Sequence, residues 1–374
     1  MIGYRRELHR IPELDRDLPK TTAYVKTVLA GLPCEVYDIG TPLDSPGFVA
    51  FFRGGLAGED APSVAFRSDM DALPVQEENE DDYRSLHDGR MHACGHDGHM
   101  SILLGFAEIV AEHLATLDKN VLLVFQAAEE TTGGARDIVS SGVFEHFQTK
   151  KIYGLHLWPK IPKGQVVCRS GAFMASTVVF TVDIEGRQVH VGSFRSGVDA
   201  LEVGCRFVGA VYEMEKEEIA PHIERLLRIG VFQSGTAVNV VSGAARIAGT
   251  LRTFDRGVHD LMWRRMQEIA DSLSIRTGAT FTLNHTQPYP AVVNPAGLFV
   301  EARGQLTDAG LDFQEAEAPL LIAEDFSCYQ EALPGLFLHL GTGGEEPLHS
   351  CRYQLDEDVL LTGVRVFTTL LGIQ

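Results

Sequence analysis

Met91-His92-Ala93-Cys94-Gly95-His96-Asp97-Gly98-His99-Met100 puts three histidines, a cysteine and an aspartate just ahead of the helical spacing Ile102, Leu103, Phe106, Ile109 and Val110. A cysteine and a histidine two apart, with a glycine between them, can both turn toward one cation where a helix begins. Further along, Gln126-Ala127-Ala128-Glu129-Glu130 follows the apolar run Val121-Leu122-Leu123-Val124-Phe125, so two adjacent carboxylates arrive at the carboxyl end of a buried strand. Open α/β sheets place their chemistry at such strand ends. Neighbouring side chains leaving a strand point in different directions, which lets one carboxylate bind a metal while the other faces a substrate or a water. His156, in Lys151-Ile152-Tyr153-Gly154-Leu155-His156-Leu157-Trp158-Pro159, ends another short apolar strand, and Pro347-Leu348-His349-Ser350 offers a last histidine.

Thiolate, imidazole and carboxylate are the ligands a borderline divalent metal prefers. An isolated Glu-Glu pair is ordinarily a solvated loop feature, and any one of these histidines alone reads as a core or surface residue. Four segments carrying such groups at strand ends and a helix start are harder to read that way together. A purely structural zinc site is a poor match, because such sites are closed cages of four Cys and His ligands.

With these segments in view, the chain resembles the co-catalytic metallopeptidases of the aminoacylase and carboxypeptidase G superfamily. Within it, the similarity is to the branch of hippurate hydrolase, indoleacetyl-amino-acid hydrolase and N-acetyldiaminopimelate deacetylase. The resemblance runs from Arg5-Arg6-Glu7-Leu8-His9-Arg10-Ile11-Pro12-Glu13-Leu14 through Arg67-Ser68-Asp69-Met70-Asp71-Ala72-Leu73-Pro74, the Cys94 to His99 cluster, Glu129-Glu130 and Gly154-Leu155-His156. It resumes at Gly235-Thr236-Ala237-Val238-Asn239-Val240, Gly249-Thr250-Leu251-Arg252-Thr253, Glu324-Asp325-Phe326 and Leu348-His349.

The resemblance implies that Cys94, His96, Glu130, His156 and His349 ligate two divalent metals (Zn, Mn, Co or Ni). It also implies that Glu129 is the general base toward the water that the metals activate. A bound metal lowers the pKa of water from ~16 to about 7. Two dications against one thiolate and one carboxylate leave room for a hydroxide and an anionic substrate. Asp71 would support the site from behind the ligands, although read without the resemblance it is equally a capping or turn residue. Asp97 and His99 carry the same ambiguity and are placed behind the ligands too.

The resemblance further implies that His190 reaches the active site of a neighbouring subunit and that Asn239 and Arg252 hold the substrate and its carboxylate. Their plain readings are a polar strand residue, a turn former and a surface charge. The chain departs from the family pattern at Ser193-Phe194-Arg195, where Pro-His or Pro-Trp is common, and at Cys351, where proline is usual. Cys351 reads either as a buried hydrophobe or as an oxidation-sensitive neighbour of the metals.

A chain of 374 residues exceeds the size at which one hydrophobic core stops growing, so two domains are expected, and 45% hydrophobic residues suffice for both cores. The net charge of −19 argues against nucleic acid or anionic membrane as partner. No stretch has signal-peptide character or the ~20 apolar residues of a membrane span. The cysteines, at 34, 94, 168, 205, 328 and 351, show no disulfide-scaffold density, which together with the missing signal points to the cytoplasm.

Up to about 175, strand-like runs (48–52, 64–67, 121–125, 152–155) alternate with helix-like segments, predicting an α/β domain with a mostly parallel sheet and helices on both faces. Beyond Phe173 the pattern changes to strands at 178–184, 226–232, 244–251 and 280–283 with helices at 198–214 and 258–275, an α+β module. The resemblance implies that this module is an inserted lid and dimerisation domain, so the expected organisation is a metal-binding catalytic domain of 1–175 and 288–374 around an insert of 176–287. Insertion follows from chain order, since His349 must return to the metal site after the module ends.

Taken with these observations, the resemblance implies a dinuclear metal amidohydrolase acting on N-acyl amino acids, in an N-acetyldiaminopimelate deacetylase-like or hippurate hydrolase-like manner, as a homodimer or larger assembly. Carboxypeptidase or dipeptidase action is the alternative within the class. A non-catalytic binder that kept the fold is the alternative outside it, and it would have been free to lose Glu129.

Overall fold

The computed structural model describes residues 1–39, 46–58, 60–287 and 289–373. The chain folds as two compact units. One comprises Met1–Phe173, Val292–Ala318 and Asp325–Gln374, the other Met174–Ala291 and Pro319–Glu324. The short Pro319–Glu324 segment, expected with the metal-binding part, belongs to the second unit. The boundary expected at 288 lies outside the described residues.

The first unit is built on an eight-stranded sheet. In spatial order its strands are Glu35–Asp38, Phe48–Phe52, Asn120–Gln126, Ser63–Asp69, Thr149–Trp158, Gly335–Gly341, Val166–Cys168 and Phe313–Glu315. The central four run parallel. Phe48–Phe52 joins them antiparallel on one side and Val166–Cys168 on the other, so the sheet is mixed and mostly parallel. Every residue of Ser63–Asp69, Asn120–Gln126 and Gly335–Gly341 is buried, which requires cover on both faces and explains their near-continuous apolar character.

The helix His96–His113 packs on three of these strands and against the helices Ile2–Arg10, Pro19–Leu29 and Val359–Leu371. Phe66, Phe106 and Phe367 meet beneath it with ring centroids 4.6 to 5.6 Å apart. That packing fixes the start of the helix, where Cys94 and His96 lie. Gly95 between them sits at φ +87°, a left-handed conformation that a side chain resists, and an added Cβ would come within 2.9 Å of the Tyr353 hydroxyl.

The second unit has a four-stranded antiparallel sheet ordered Arg225–Ser234, Ala244–Thr253, Ser176–Glu185 and Thr280–His285. Val178, Phe180, Val182 and Ile184 alternate inward against Val203, Phe207 and Val211 of Ala200–Glu218 and Met262, Met266 and Ala270 of Arg256–Thr277. The first of these helices starts two residues later than its hydrophobic spacing suggests, because the Asp199 carboxylate accepts from Leu201 N and Glu202 N and caps it. Such a cap contributes about 1 kcal/mol. The second runs from its Asp255 cap to Gly278 at φ +77°. Among the described residues, no helix is long and apolar enough to cross a membrane.

Candidate metal centre

Three segments deliver most of the donor groups. The turn before the helix at His96 carries Cys94, the end of Asn120–Gln126 leads into Glu129 and Glu130, and Thr149–Trp158 carries His156 near its end. His349 comes from a fourth segment and is tied to the first, since its own N–H donates to Ala93 O at 2.8 Å. His349 (φ +67°) and Ala128 (φ +57°) are both non-glycine residues in the left-handed region, and backbone of that kind concentrates at functional sites.

The five expected ligands converge. Donor atoms of Cys94, His96 and His156 lie within 4.8 Å of one another, as do those of Cys94, Glu130 and His349 and those of His96, Glu129 and Glu130. Cys94 Sγ is 3.5 Å from His156 Nε2, and Glu130 Oε1 is 3.3 Å from His349 Nε2 and 3.8 Å from His96 Nε2. Two overlapping triads therefore share the Cys94 thiol.

Hydrogen bonds set which nitrogen of each buried histidine faces inward. His96 donates from Nδ1 to the main-chain oxygen of Asp71 at 2.7 Å, and His156 donates from Nδ1 to Leu157 O at 2.7 Å. In both rings Nε2 is the nitrogen that faces the cluster, and it offers a lone pair to a cation once any proton on it is displaced. His96 Nε2 is buried and has no hydrogen-bond partner among the described residues. A buried ring nitrogen of this kind, among a thiol, two further imidazoles and a carboxylate, fits a divalent ion.

The electrostatics agree. Burial, then the Glu130 and Glu129 carboxylates, push the Cys94 thiol well up. Burial pulls His96 down, but Asp69, Asp71 and Glu130 outweigh it and raise its pKa to about 10. Burial, followed by the neighbouring His99, holds His156 well below the usual imidazole range. Negative charge thus gathers protons here, and dications would replace them.

Asp71 supports the pair of glutamates directly: its two carboxylate oxygens accept from Glu129 N and Glu130 N, each at 3.0 Å. His99 donates from Nδ1 to Asp69 at 2.6 Å and accepts Leu157 N–H at Nε2, at 2.9 Å, so both its nitrogens are engaged and neither is offered to the cluster. Asp97 instead faces the amino-terminal helix. It accepts from Arg5 Nε at 2.9 Å and pairs with His9 Nδ1 at 2.8 Å, all three side chains being buried.

Sequence reasoning missed Asp69, Arg67 and Gln126 as parts of this framework. The signal was a buried arginine and glutamine at the ends of apolar strands, where unpaired polar groups are costly. Cys351 is half-buried, and its carbonyl accepts from Glu78 N at 2.9 Å.

His190, Asn239 and Arg252 belong to the second unit. His190 opposes Val240 in the short pairing of Val189–His190 with Val240–Val241, and Asn239 O accepts from Val191 N at 3.0 Å, so His190 and Asn239 are held side by side. The exposed His190 ring accepts Gly192 N–H at Nδ1, at 3.1 Å. Arg252 donates from Nη1 to Leu321 O at 2.6 Å, while its buried Nε has no partner among the described residues.

Comparison with known proteins agrees with the fold. Residues 65–372 match the model of peptidase family M20/M25/M40. The chain is 32% identical to the N-acetylcysteine deacetylase of Bacillus subtilis (strain 168), covering 100% of this chain and 96% of that protein. The crystal structure of the Bacillus subtilis YXEP protein, described as a dinuclear metal binding peptidase from the M20 family, superposes with a TM-score of 0.85 at 30% identity, covering 99% of this chain and 96% of the other. The aminobenzoyl-glutamate utilization protein of Klebsiella pneumoniae shares the fold, with a TM-score of 0.72 at 22% identity over 99% of this chain and 95% of that one. The chain belongs to the M20/M25/M40 peptidase family and is a metal-dependent hydrolase.

Proposed function

We propose that the protein removes the acyl group from the nitrogen of an N-acyl amino acid, with Cys94, His96, Glu130, His156 and His349 holding two divalent ions and Glu129 acting as general base. The observation that carries this reading is the convergence of these five side chains with Glu129 beside them. When bound, the ions polarise the scissile carbonyl and make a water acidic enough to attack at neutral pH. Glu129 takes the proton from that water and returns it to the departing nitrogen as the C–N bond breaks, leaving a carboxylate and a free amine. Asp71 keeps both glutamates in place through their main-chain N–H groups.

In the second unit, Arg252 suits the substrate's carboxylate, because its Nε, without a partner among the described residues, adds a directed donor to a permanent positive charge. His190 acts in a neighbouring subunit. With Nδ1 accepting Gly192 N–H, its proton sits on Nε2, and that donor can meet the negative charge growing on the carbonyl oxygen. Asn239, held beside it, completes the substrate contact. The exposed Val191, Phe194, Val231 and Phe232 of this unit suit burial against a second copy of the chain.

The deacetylase relative favours acetyl as the acyl group. A panel of N-acetyl and N-benzoyl amino acids and dipeptides, each tested with Mn, Co, Ni and Zn, decides the matter. N-acetyl amino acids should be cleaved fastest and chelation should abolish cleavage. Faster turnover of dipeptides than of any N-acyl amino acid would overturn the assignment.

A further inference from the structure

We propose that Asp325 is a positioning residue for the Glu129–Glu130 pair, holding both ends of the loop that carries them. The proposal rests on the reading of Glu129 as base and Glu130 as ligand.

That loop leaves the sheet at Gln126 and re-enters regular structure at Ala135, the first residue of the helix Ala135–Ser140. One carboxylate grips both points. Asp325 accepts from the Gln126 side-chain amide at 2.8 and 2.7 Å and from Ala135 N at 3.1 Å. It is completely buried, as is Gln126. Between these ends the loop closes on itself, with Gly133 N and Gly134 N donating to Ala128 O at 2.9 and 3.3 Å. Gly134 approaches so near that an added Cβ would stand 1.9 Å from Ala127 O. The tips at Glu129 and Glu130 are held by Asp71, so the loop is pinned at its middle by one aspartate and at its ends by another.

Asp325 is itself anchored to the framework of the site. It accepts from Arg67 Nη2 at 3.0 Å, while Arg67 donates from Nε to Gln126 Oε1 at 2.9 Å and from Nη1 to Asp69 at 2.8 Å. Tyr329 adds its hydroxyl to Gln126 Oε1 at 2.7 Å. Asp69 continues the chain to His99, and His99 to the main chain next to His156. One unbroken run of buried hydrogen bonds therefore registers the glutamate loop against the strand that carries His156. A group that fixes distances in this way acts on turnover, because a misplacement of ~1 Å can cost about 10²-fold in rate.

The test is Asp325→Asn, which keeps the shape but turns an amide N–H₂ toward donors that need an acceptor. The gain of an N–H₂ cannot be absorbed by rotating Gln126, whose Oε1 already serves Arg67 and Tyr329. The variant should lose about 10²-fold in kcat with KM and bound metal content unchanged. Gln126→Met, close in volume and neutral, removes one tether and should show the same signature more weakly, and it decides the question if Asp325→Asn does not fold. Wild-type kcat in the folded variant, or a fall in rate matched by loss of metal, would overturn the proposal. Glu129→Gln in the same assay separates the two readings: if it stays active, the base assignment fails; if it is inactive while Asp325→Asn is not, only the positioning role fails.

Discussion

The main-chain oxygen of Asp71 accepts the Nδ1 proton of His96 at 2.7 Å, while the carboxylate of the same aspartate accepts from the glutamate amides. One residue thereby orients an imidazole and a carboxylate pair that come from different parts of the chain. The two functions use different atoms, so they are separable by substitution. Asp71→Ala keeps the carbonyl and loses the carboxylate. Ion binding through His96 should persist, while kcat falls by about 10²-fold as the glutamate loop loosens. Loss of the ions in Asp71→Ala, measured by elemental analysis, would show that the carboxylate holds the ligands as well.

Adjacent carboxylates with different duties fail differently. Glu129→Gln cannot take a proton, so kcat should drop by ~10²–10⁴ with metal content intact. Glu130→Gln should release metal and rate together. The reverse pattern would exchange the two assignments.

Metal affinity should rise with pH. Without metal, His96 has a pKa of about 10 and the Cys94 thiol lies well above its usual range, so both carry protons at neutrality. A cation must displace those protons, and lowering the pH strengthens the competitor. Near pH 7, loading should release about two protons per chain, read by calorimetry in buffers of different ionisation enthalpy. Loading without proton release would mean that the ligands are already deprotonated.

Arg5→Ala tests the support behind the helix start. It leaves the buried Asp97 carboxylate with only His9, among the described residues, as a charged partner at hydrogen-bond distance, and breaking such a pair costs about 3–5 kcal/mol. Urea denaturation should report that loss, with the number of bound ions unchanged at low denaturant. Unaltered stability would show that Asp97 does not need its arginine.

Action of His190 across a subunit boundary is checked by complementation. His190→Ala should reduce kcat by about 10²–10³-fold with fold and metals intact. Mixing it with Glu129→Gln then places a good base and a good histidine in one site of each mixed dimer, and random pairing makes about a quarter of all sites competent. No recovery after confirmed subunit exchange would confine His190 to its own chain or remove it from the reaction.

Much of this molecule is legible before folding because its signals are local. Val121 to Phe125 is apolar throughout since both faces of its strand are covered, and Val178, Phe180, Val182 and Ile184 alternate since only one face of theirs is. The metal-ligand types stand out by clustering at strand ends and a helix start. What stays hidden is long-range. Gly335–Gly341 completes the parallel core by pairing with Thr149–Trp158, placing His339 opposite His156, and nothing near either strand specifies that partner. Asp325 stands out in the sequence only as part of a motif, because its meaning depends on Arg67, 258 positions earlier.

The Arg67–Asp325 pair also has a bearing on how the protein is made. Synthesis delivers Arg67, Asp69 and Gln126 long before Asp325 emerges, so until then these polar strand ends lack the carboxylate that Arg67 Nη2 and the Gln126 side-chain amide meet in the native fold. Those ends stay hydrated, and the sheet remains open where its neighbour Gly335–Gly341 has still to enter. Long-range closure of this kind slows folding. A nascent chain stopped short of residue 325 therefore holds Cys94, His96, His156, Glu129 and Glu130 without the carboxylate that ties both ends of the glutamate loop.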